Sequence, residues 1–346
     1  IRDRRKLMEG MCLAAGCDAE TSKILADVHL ESDLRGVSVQ GLNHLVNSHI
    51  QKLRKRKEDP NGKPRIEKEG DTFALVDGNS GPGPIAAFFA VDLAVKKAKE
   101  AGCCIVGIQN SHDIYQVGLY VERIAREGLV GFVYSDDVVP VVHPLGGSKP
   151  VIGSNPMAVA IPTENEPFLL DFAPCATLPT YVRYSKRYGA ELPAGVCVDG
   201  EGNPTTDPKA VCDGAGYQGD KGAISPLGNK GYGLLLVIDF LSGAFVGCDM
   251  GMDHINKSDS RKGHFFMAIN PAIFGDLTIF RQAVSGRIQQ LKDSQKAPGV
   301  SEIRVPGERS FKNRKSALRE GTVSIDTQLW KDTVALCNEL GVEVPE

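Results

Sequence analysis

Residues Thr72 to Ile108 read TFALVDGNSGPGPIAAFFAVDLAVKKAKEAGCCIVGI. A short apolar run, FALV, leads through a glycine-rich turn into a helical stretch from about Ile85 to Ala101, and a second apolar run, CCIVGI, follows. A further helix around Val117 to Glu127 precedes VGFVYS. Strands alternating with helices predict an α/β core in which at least some strands are parallel.

On the N-terminal side the first 53 residues are expected to be helical. Asp18 is placed to cap a helix carrying Ile24, Leu25 and Val28, Gly36 is a stop signal, and a third helix starts near Gly41. The basic run KLRKRK, 52 to 57, meets Glu58, Asp59 and Pro60 at once, so it reads as a solvated helix end and not as a nucleic-acid patch. On the C-terminal side PMAVAIP and PFLLDF are strand-like, and the polar stretch from Tyr188 to Ser225 is expected to form a mobile flap or excursion. Gly231 to Val246 reads as a buried central helix, GHFFMAIN (263 to 270) as a strand, and about Pro271 to Leu291 as a helix. A short strand and an amphipathic helix carrying the single Trp330 close the chain. The expected division is an N-terminal helical segment, 1–71, an α/β core, 72–280, and a C-terminal helical segment, 281–346, packed on the first.

Composition narrows the function. The 346 residues carry 40 basic and 43 acidic side chains for a net charge of -3, without the basic excess that phosphate contacts require. No 18-residue apolar run offers a membrane span. Nine scattered cysteines without CxxC pairs suggest reduced thiols in a cytoplasmic setting, and the seven histidines are the supply of acid/base groups near neutral pH. No signal peptide is expected within the residues shown, and a leader ahead of Ile1 is left open.

The local motifs are individually weak. No GxGxxG fingerprint is present; Gly78-Asn79-Ser80-Gly81-Pro82-Gly83 follows a strand and precedes a helix, but its spacing is wrong and Pro82 lacks an amide donor. Ser111, His112 and Asp113 are adjacent and so do not make a triad, whose members converge from separate segments. They do mark the C-terminal end of a strand, where α/β proteins place ligands. Cys and His spacings match no common metal set, so no metal is expected. Lys230, between Gly228 and Gly233, reads either as a holder of a phosphate or carboxylate or as an exposed residue of a capping turn.

Taken in order, several strings make the chain resemble the malate/L-lactate dehydrogenase type 2 family of NAD(P)-dependent oxidoreductases. They are SDLRGVSVQGLNHL (32–45), DGNSGPGPIAA (77–87), KKAKEAGCCIVGIQNSHDIYQVGLY (96–120), PLGGSKPVIGSNPMAVAIP (144–162), LLDFA (169–173), GNPTTDP (202–208), PLGNKGYGLLLVIDFLSG (226–243), GHFFMAINP (263–271) and VPGER (305–309). The resemblance implies a mixed-sheet, non-Rossmann α/β fold with a helical layer from both termini, a homodimer with sites at its interface, NAD or NADP as cofactor, and a small 2-oxo acid as substrate. It also implies a cofactor set drawn from Ser111, Asn155, Asp171, Lys230 and Gly231.

The departures from the family pattern fall on the chemistry. Where the family reads GxxSHGxxR, this chain has Val39 for Ser, Gln40 for the acid/base His and His44 for the carboxylate-gripping Arg. Where it reads NSNHFGxxGY, the catalytic His falls on Asp113, with His112 one place early. Gln40 has no proton to give, a role typically worth about 10²–10⁴ in rate. Asp113 adds a like charge, and two unit charges about 4 Å apart in a partly screened site repel by roughly 4 kcal/mol. Impaired turnover is therefore expected at Gln40, His44, Asp113 and His112, unless a bulge turns His112 into the pocket or His44 serves. The alternatives are a structural or assembly protein that reuses the fold and binds protein partners, and an enzyme with a neutral or cationic substrate. Whether the pocket between Gln40, Asp113 and Lys230 is open or filled separates these readings.

Overall fold

In the computed structural model, residues 1–212, 220–255 and 260–344 are described. The stretch that opens the sequence reading forms β2 (Phe73–Asp77), the helix Gly83–Ala101 and β3 (Cys103–Ser111). β2 and β3 are parallel neighbours, as a helical crossover requires. The helix lays Ala86, Ala87, Ala90, Ala94 and Ala98 against Cys104, Val106 and Ile108 of β3, all buried, and the small side chains let it sit close to the sheet. Gly102 ends it at φ 90°, where a side chain would be strained.

The remaining strands are β1 (Arg65–Gly70), β4 (Val130–Ser135), β5 (Met157–Ile161), β6 (Phe168–Phe172), the short pair β7 (Cys197–Val198) and β8 (Ala223–Ile224), and β9 (Lys262–Ile269). Seven of them form one sheet in the order β1-β2-β3-β9-β4-β5-β6. β9 runs antiparallel to both β3 and β4, so the sheet is mixed, as the sequence leads one to expect. A second apolar cluster joins Leu7, Met8, Met11, Leu25, Leu45 and Ile50 to Leu336 and Cys337, which makes a helical layer from the two ends of the chain.

Some expectations are revised by packing. The helix predicted over 231–246 spans Gly228–Ser242 and is not buried all round: Leu235, Ile238 and Ser242 face the protein, while Leu234, Val237 and Phe240 are exposed. An apolar run reads as buried whether its outer face meets this chain or another molecule. The C-terminal stretch contains two helices, Glu308–Glu320 and Thr327–Leu340, with no strand among the described residues. The polar stretch 188–225 holds the β7–β8 pair, and its residues 213–219 lie outside the described residues. The glycine-rich turn 78–83 is filled by the chain itself: a Cβ on Gly83 would stand 2.4 Å from the carbonyls of both His112 and Asp113. It is a packing turn that supports the next segment.

Candidate active site

A cavity of about 920 Å³ opens where the C-terminal ends of β3 and β4 meet the helical layer, and Gln40, His44 and Asp113 all line it. Ser38–Gln40 is a tight helical turn ending at Gly41, whose absent side chain leaves room for the Asp33 carboxylate; a Cβ there would stand 1.9 Å from Oδ1. The helical stretch 42–54 follows, and its middle turn, Leu45–His49, is a π-turn. The wider turn brings residues five apart onto one side, and π-turns recur at functional sites. His44 and His49 accordingly both pack on the Tyr115 ring, with centroids 5.0 and 5.1 Å away.

Asp113 follows β3, where the pairing with β9 shifts register between Ile108 and Ser111. That irregularity leaves Asp113 in the cavity wall. His112 is buried behind it, with its carbonyl accepting a hydrogen bond from His264 Nε2 at 3.0 Å. Tyr115 stands where the family string has Gly and adopts φ 62°, the left-handed region that costs a non-glycine residue about 1–3 kcal/mol. Its hydroxyl is buried without a hydrogen-bond partner among the described residues.

The charge argument made from the sequence changes here. Asp113 does not face a ligand as a lone anion: Lys52 Nζ donates to it at 2.6 Å and Lys262 pairs with it as well. Lys262 also reaches Asp137, which follows β4, at 3.0 Å. Burial pushes the Asp113 carboxyl up, but Lys262 and Lys52 hold it well below its ordinary range. Lys262 spends its charge on two carboxylates. Lys52 makes one short hydrogen bond to Asp113, lies 4.0 Å from Glu58, and remains about a third exposed at the cavity wall.

His44 lines the cavity with a buried Nε2 that has no partner among the described residues. Burial lowers its pKa to about 4, with Asp113 opposing and Lys52 assisting, so the ring is neutral at pH 7. His112 is lowered to about 4 and His264 to about 3, again chiefly by burial. His264 is braced between Ser135 Oγ, 2.9 Å from Nδ1, and the His112 carbonyl, and takes a structural part.

The residues named for the cofactor do not converge on this cavity. Ser111 is buried at the end of β3. Asn155, at φ 41°, accepts from Asp137 N–H and donates to Asp239, tying the Asp137 loop to the helix Gly228–Ser242. Asp171 accepts from Gly118 N–H at 3.0 Å and caps the helix Gly118–Arg126, with its pKa raised by burial to about 6. Lys230 is exposed on the first turn of Gly228–Ser242, and Gly231 packs beneath it on the Pro174 carbonyl. The far wall of the cavity comes instead from the helix Pro179–Tyr188, which contributes Arg183, Tyr184, Arg187 and Tyr188.

Sequence reasoning missed Lys52, Lys262, Tyr115 and this helix. Lys52 was hidden in a run that is otherwise solvated. The one local signal for Tyr115 was a bulky residue in a place the family string gives to Gly.

Comparison with known proteins then adds a context for this geometry. The model of the malate/L-lactate dehydrogenase family matches residues 1–333. A malate dehydrogenase of Pyrococcus horikoshii is 33% identical over 340 residues, 95% of this chain and 91% of the relative. The NAD(+) ureidoglycolate dehydrogenase of Escherichia coli K12 is 29% identical over 93% of this chain and 90% of its own. Among solved structures, a malate dehydrogenase from Entamoeba histolytica superposes with TM-score 0.94 at 26% identity, covering 100% of this chain and 98% of that one.

Proposed function

Since the chain belongs to the malate/L-lactate dehydrogenase family, we propose that it is a nicotinamide-dependent oxidoreductase that interconverts a small 2-hydroxy acid and its 2-oxo acid in the cavity at His44. The observation that carries this reading is the open cavity in which an unpartnered, neutral imidazole lies beside the Lys52–Asp113–Lys262 cluster. A filled pocket would have argued against it.

Lys52, a partly exposed cation at the cavity wall, takes over the carboxylate-gripping task that the family pattern gives to Arg at the place of His44. His44, a ring in the cavity wall that is neutral at pH 7, serves as the proton acceptor in the alcohol-to-ketone direction. Gln40 orients the same oxygen by donating a hydrogen bond. Lys262 keeps Asp113 from repelling an anionic substrate, which favours an acid over the neutral or cationic substrates considered from the sequence.

The cavity fits a nicotinamide cofactor as well as a small acid, because its volume far exceeds that of a three- or four-carbon acid. Tyr184, Tyr188, Arg183 and Arg187 line its far wall, aromatic and cationic groups of the kinds that a dinucleotide's base and phosphates call for, with Arg187 also paired to Asp332 at 3.6 Å. When bound, the cofactor exchanges the hydride. NAD is favoured by the name of the ureidoglycolate relative, and NADP is the alternative. We further propose a homodimer in which a second copy covers Leu234, Val237, Phe240 and Phe245.

A second reading, cofactor binding with impaired turnover, rests on Gln40, which has no proton to exchange, in the place of the family's His. Fluorescence titration with NADH and NADPH, followed by turnover over a panel of 2-oxo acids in one direction and 2-hydroxy acids in the other, tests both. Binding with turnover supports the first reading, binding without turnover the second. Failure to bind either nucleotide refutes both and favours a structural role.

A further inference from the structure

One layer behind the cavity, three fully buried side chains from separate parts of the chain stand in line: His29 of the helix Ala19–Leu34, His49 of the π-turn, and Glu58. His29 Nδ1 lies 2.7 Å from the Gln40 carbonyl, His29 Nε2 lies 3.0 Å from His49 Nδ1, and His49 Nε2 lies 3.2 Å from Glu58 Oε2. None of the three lines the cavity; Gln40, His44 and Tyr115 stand between.

The tautomers follow from the endpoints. A backbone carbonyl only accepts, so His29 carries its proton on Nδ1 and donates to Gln40. Its Nε2 then accepts, and His49 donates from Nδ1. The last contact holds one proton, shared between His49 Nε2 and Glu58. That contact is bent away from hydrogen-bond alignment, which an ion pair tolerates and a neutral O–H···N bond does not.

We propose that His29, His49 and Glu58 form a buried proton relay that, in the ketone-to-alcohol direction, moves positive charge toward the cavity as negative charge develops on the substrate oxygen. The relay rests on the reading of the cavity as an oxidoreductase site. The step is balanced: the proton on His49 Nδ1 passes to His29 Nε2, His49 keeps its Nε2 proton toward Glu58, and no proton enters or leaves. Positive charge thereby moves to the ring stacked on His44, 6.2 Å away between centroids.

At rest the charge belongs at the Glu58 end. Burial and the neighbouring His49 and His44 hold the His29 pKa far below its ordinary value. Burial raises the Glu58 pKa, but His49, His112 and Lys52 together outweigh it and keep the carboxyl below its usual range. The other groups facing the relay are Lys52 from the same helical stretch and His112, Asp113 and Tyr115 from the segment after β3. His29, His49 and Glu58 are positioning residues, because they act through His44 and Gln40.

Glu58→Gln tests the relay: it keeps the shape and a hydrogen-bonding group but removes the counter-charge. Histidine-selective ¹⁵N NMR of the wild-type chain at pH 7.5 is expected to show an imidazolium ring in the His29–His49 pair, and Glu58→Gln is expected to lose it. With a substrate found by the panel above, kcat is expected to fall about tenfold in Glu58→Gln with KM within about twofold, the size of effect expected from moving a unit charge a few ångströms in a partly screened interior. A wild-type spectrum without that imidazolium overturns the relay and needs no variant to fold. An imidazolium that persists in Glu58→Gln, or a kcat that does not fall, overturns it too. Absence of turnover in the wild type refutes the oxidoreductase reading alone, while the NMR result still decides the relay.

Discussion

Lys262→Met removes the cation that joins Asp113 to Asp137 while keeping the length of the side chain. Deleting one partner of a buried ion pair costs about 3–5 kcal/mol, and the remaining contact from Lys52 to Asp113 places this variant at the lower end. With an unfolding entropy of about 2.1 cal/mol/K per residue, that loss lowers Tm by about 4–7 °C in a chain of this length. The pH dependence is the sharper signature. The folded-state pKa of Asp113 is depressed, so its stabilising contribution is present above its unfolded pKa and is lost as pH falls through the folded value. In Lys262→Met the burial of Asp113 is opposed by one cation fewer, its pKa rises, and protonation relieves the unpaired charge at mild acidity. The gap to wild type in urea-unfolding free energy should therefore be full at pH 7.5 and less than half as large at pH 4.5. Affinity should respond too: an exposed anion about 5 Å from a bound carboxylate repels it by roughly 3 kcal/mol, and KM for an anionic acid should rise about 100-fold. Equal gaps at the two pH values, or a gap below about 1 kcal/mol at pH 7.5, would refute the electrostatic reasoning.

Four further outcomes follow from the same structure. His44→Gln should lower kcat for hydroxy-acid oxidation by about 100-fold or more, measured by cofactor absorbance, because the proton acceptor is gone. His29, His44, His112 and His264 all have depressed folded pKa values, so their contribution is present above about pH 6.5 and is lost as pH falls toward the folded values; urea midpoints should drop between pH 7 and 5 with uptake of about three to four protons on unfolding. Tyr115→Phe removes a buried hydroxyl that has no partner and should raise stability by about 1 kcal/mol in the same assay. Gly118→Ala would place a Cβ 2.6 Å from Asp171 Oδ2 and disturb the cap on the helix Gly118–Arg126, so it should cost about 2 kcal/mol or more in thermal unfolding.

Much of the fold was legible because strand and helix patterns are local. FALV and CCIVGI became β2 and β3, and the alanine-rich helix between them shows its small face in the sequence as it does against the sheet. The family strings led correctly to a mixed sheet, although the place of β9 between β3 and β4 is a long-range pairing that periodicity does not carry. The candidate site was legible in part. Gln40, His44 and Asp113 meet in one cavity, as their positions in the family strings implied. What those strings withheld was compensation: Lys52 and Lys262 are distant in sequence from Asp113, and nothing local to any of the three announces that they neutralise one another. Asp171 and Asn155 entered the expected cofactor set through the resemblance, and in the structure each makes a backbone or loop contact inside the protein.

The position of β9 bears on how the molecule assembles. β9 alone bridges β1-β2-β3 and β4-β5-β6 in the seven-stranded sheet, so without residues 262–269 each half would present an open inner edge. Such edges invite pairing with other chains, and closing them requires contacts of long sequence separation, which form slowly. The same strand begins with Lys262, so the last act of sheet closure also delivers the charge that Asp113 and Asp137 await. A chain without residues 262–269 would lack both the strand that joins the two halves of the sheet and the cation shared by Asp113 and Asp137.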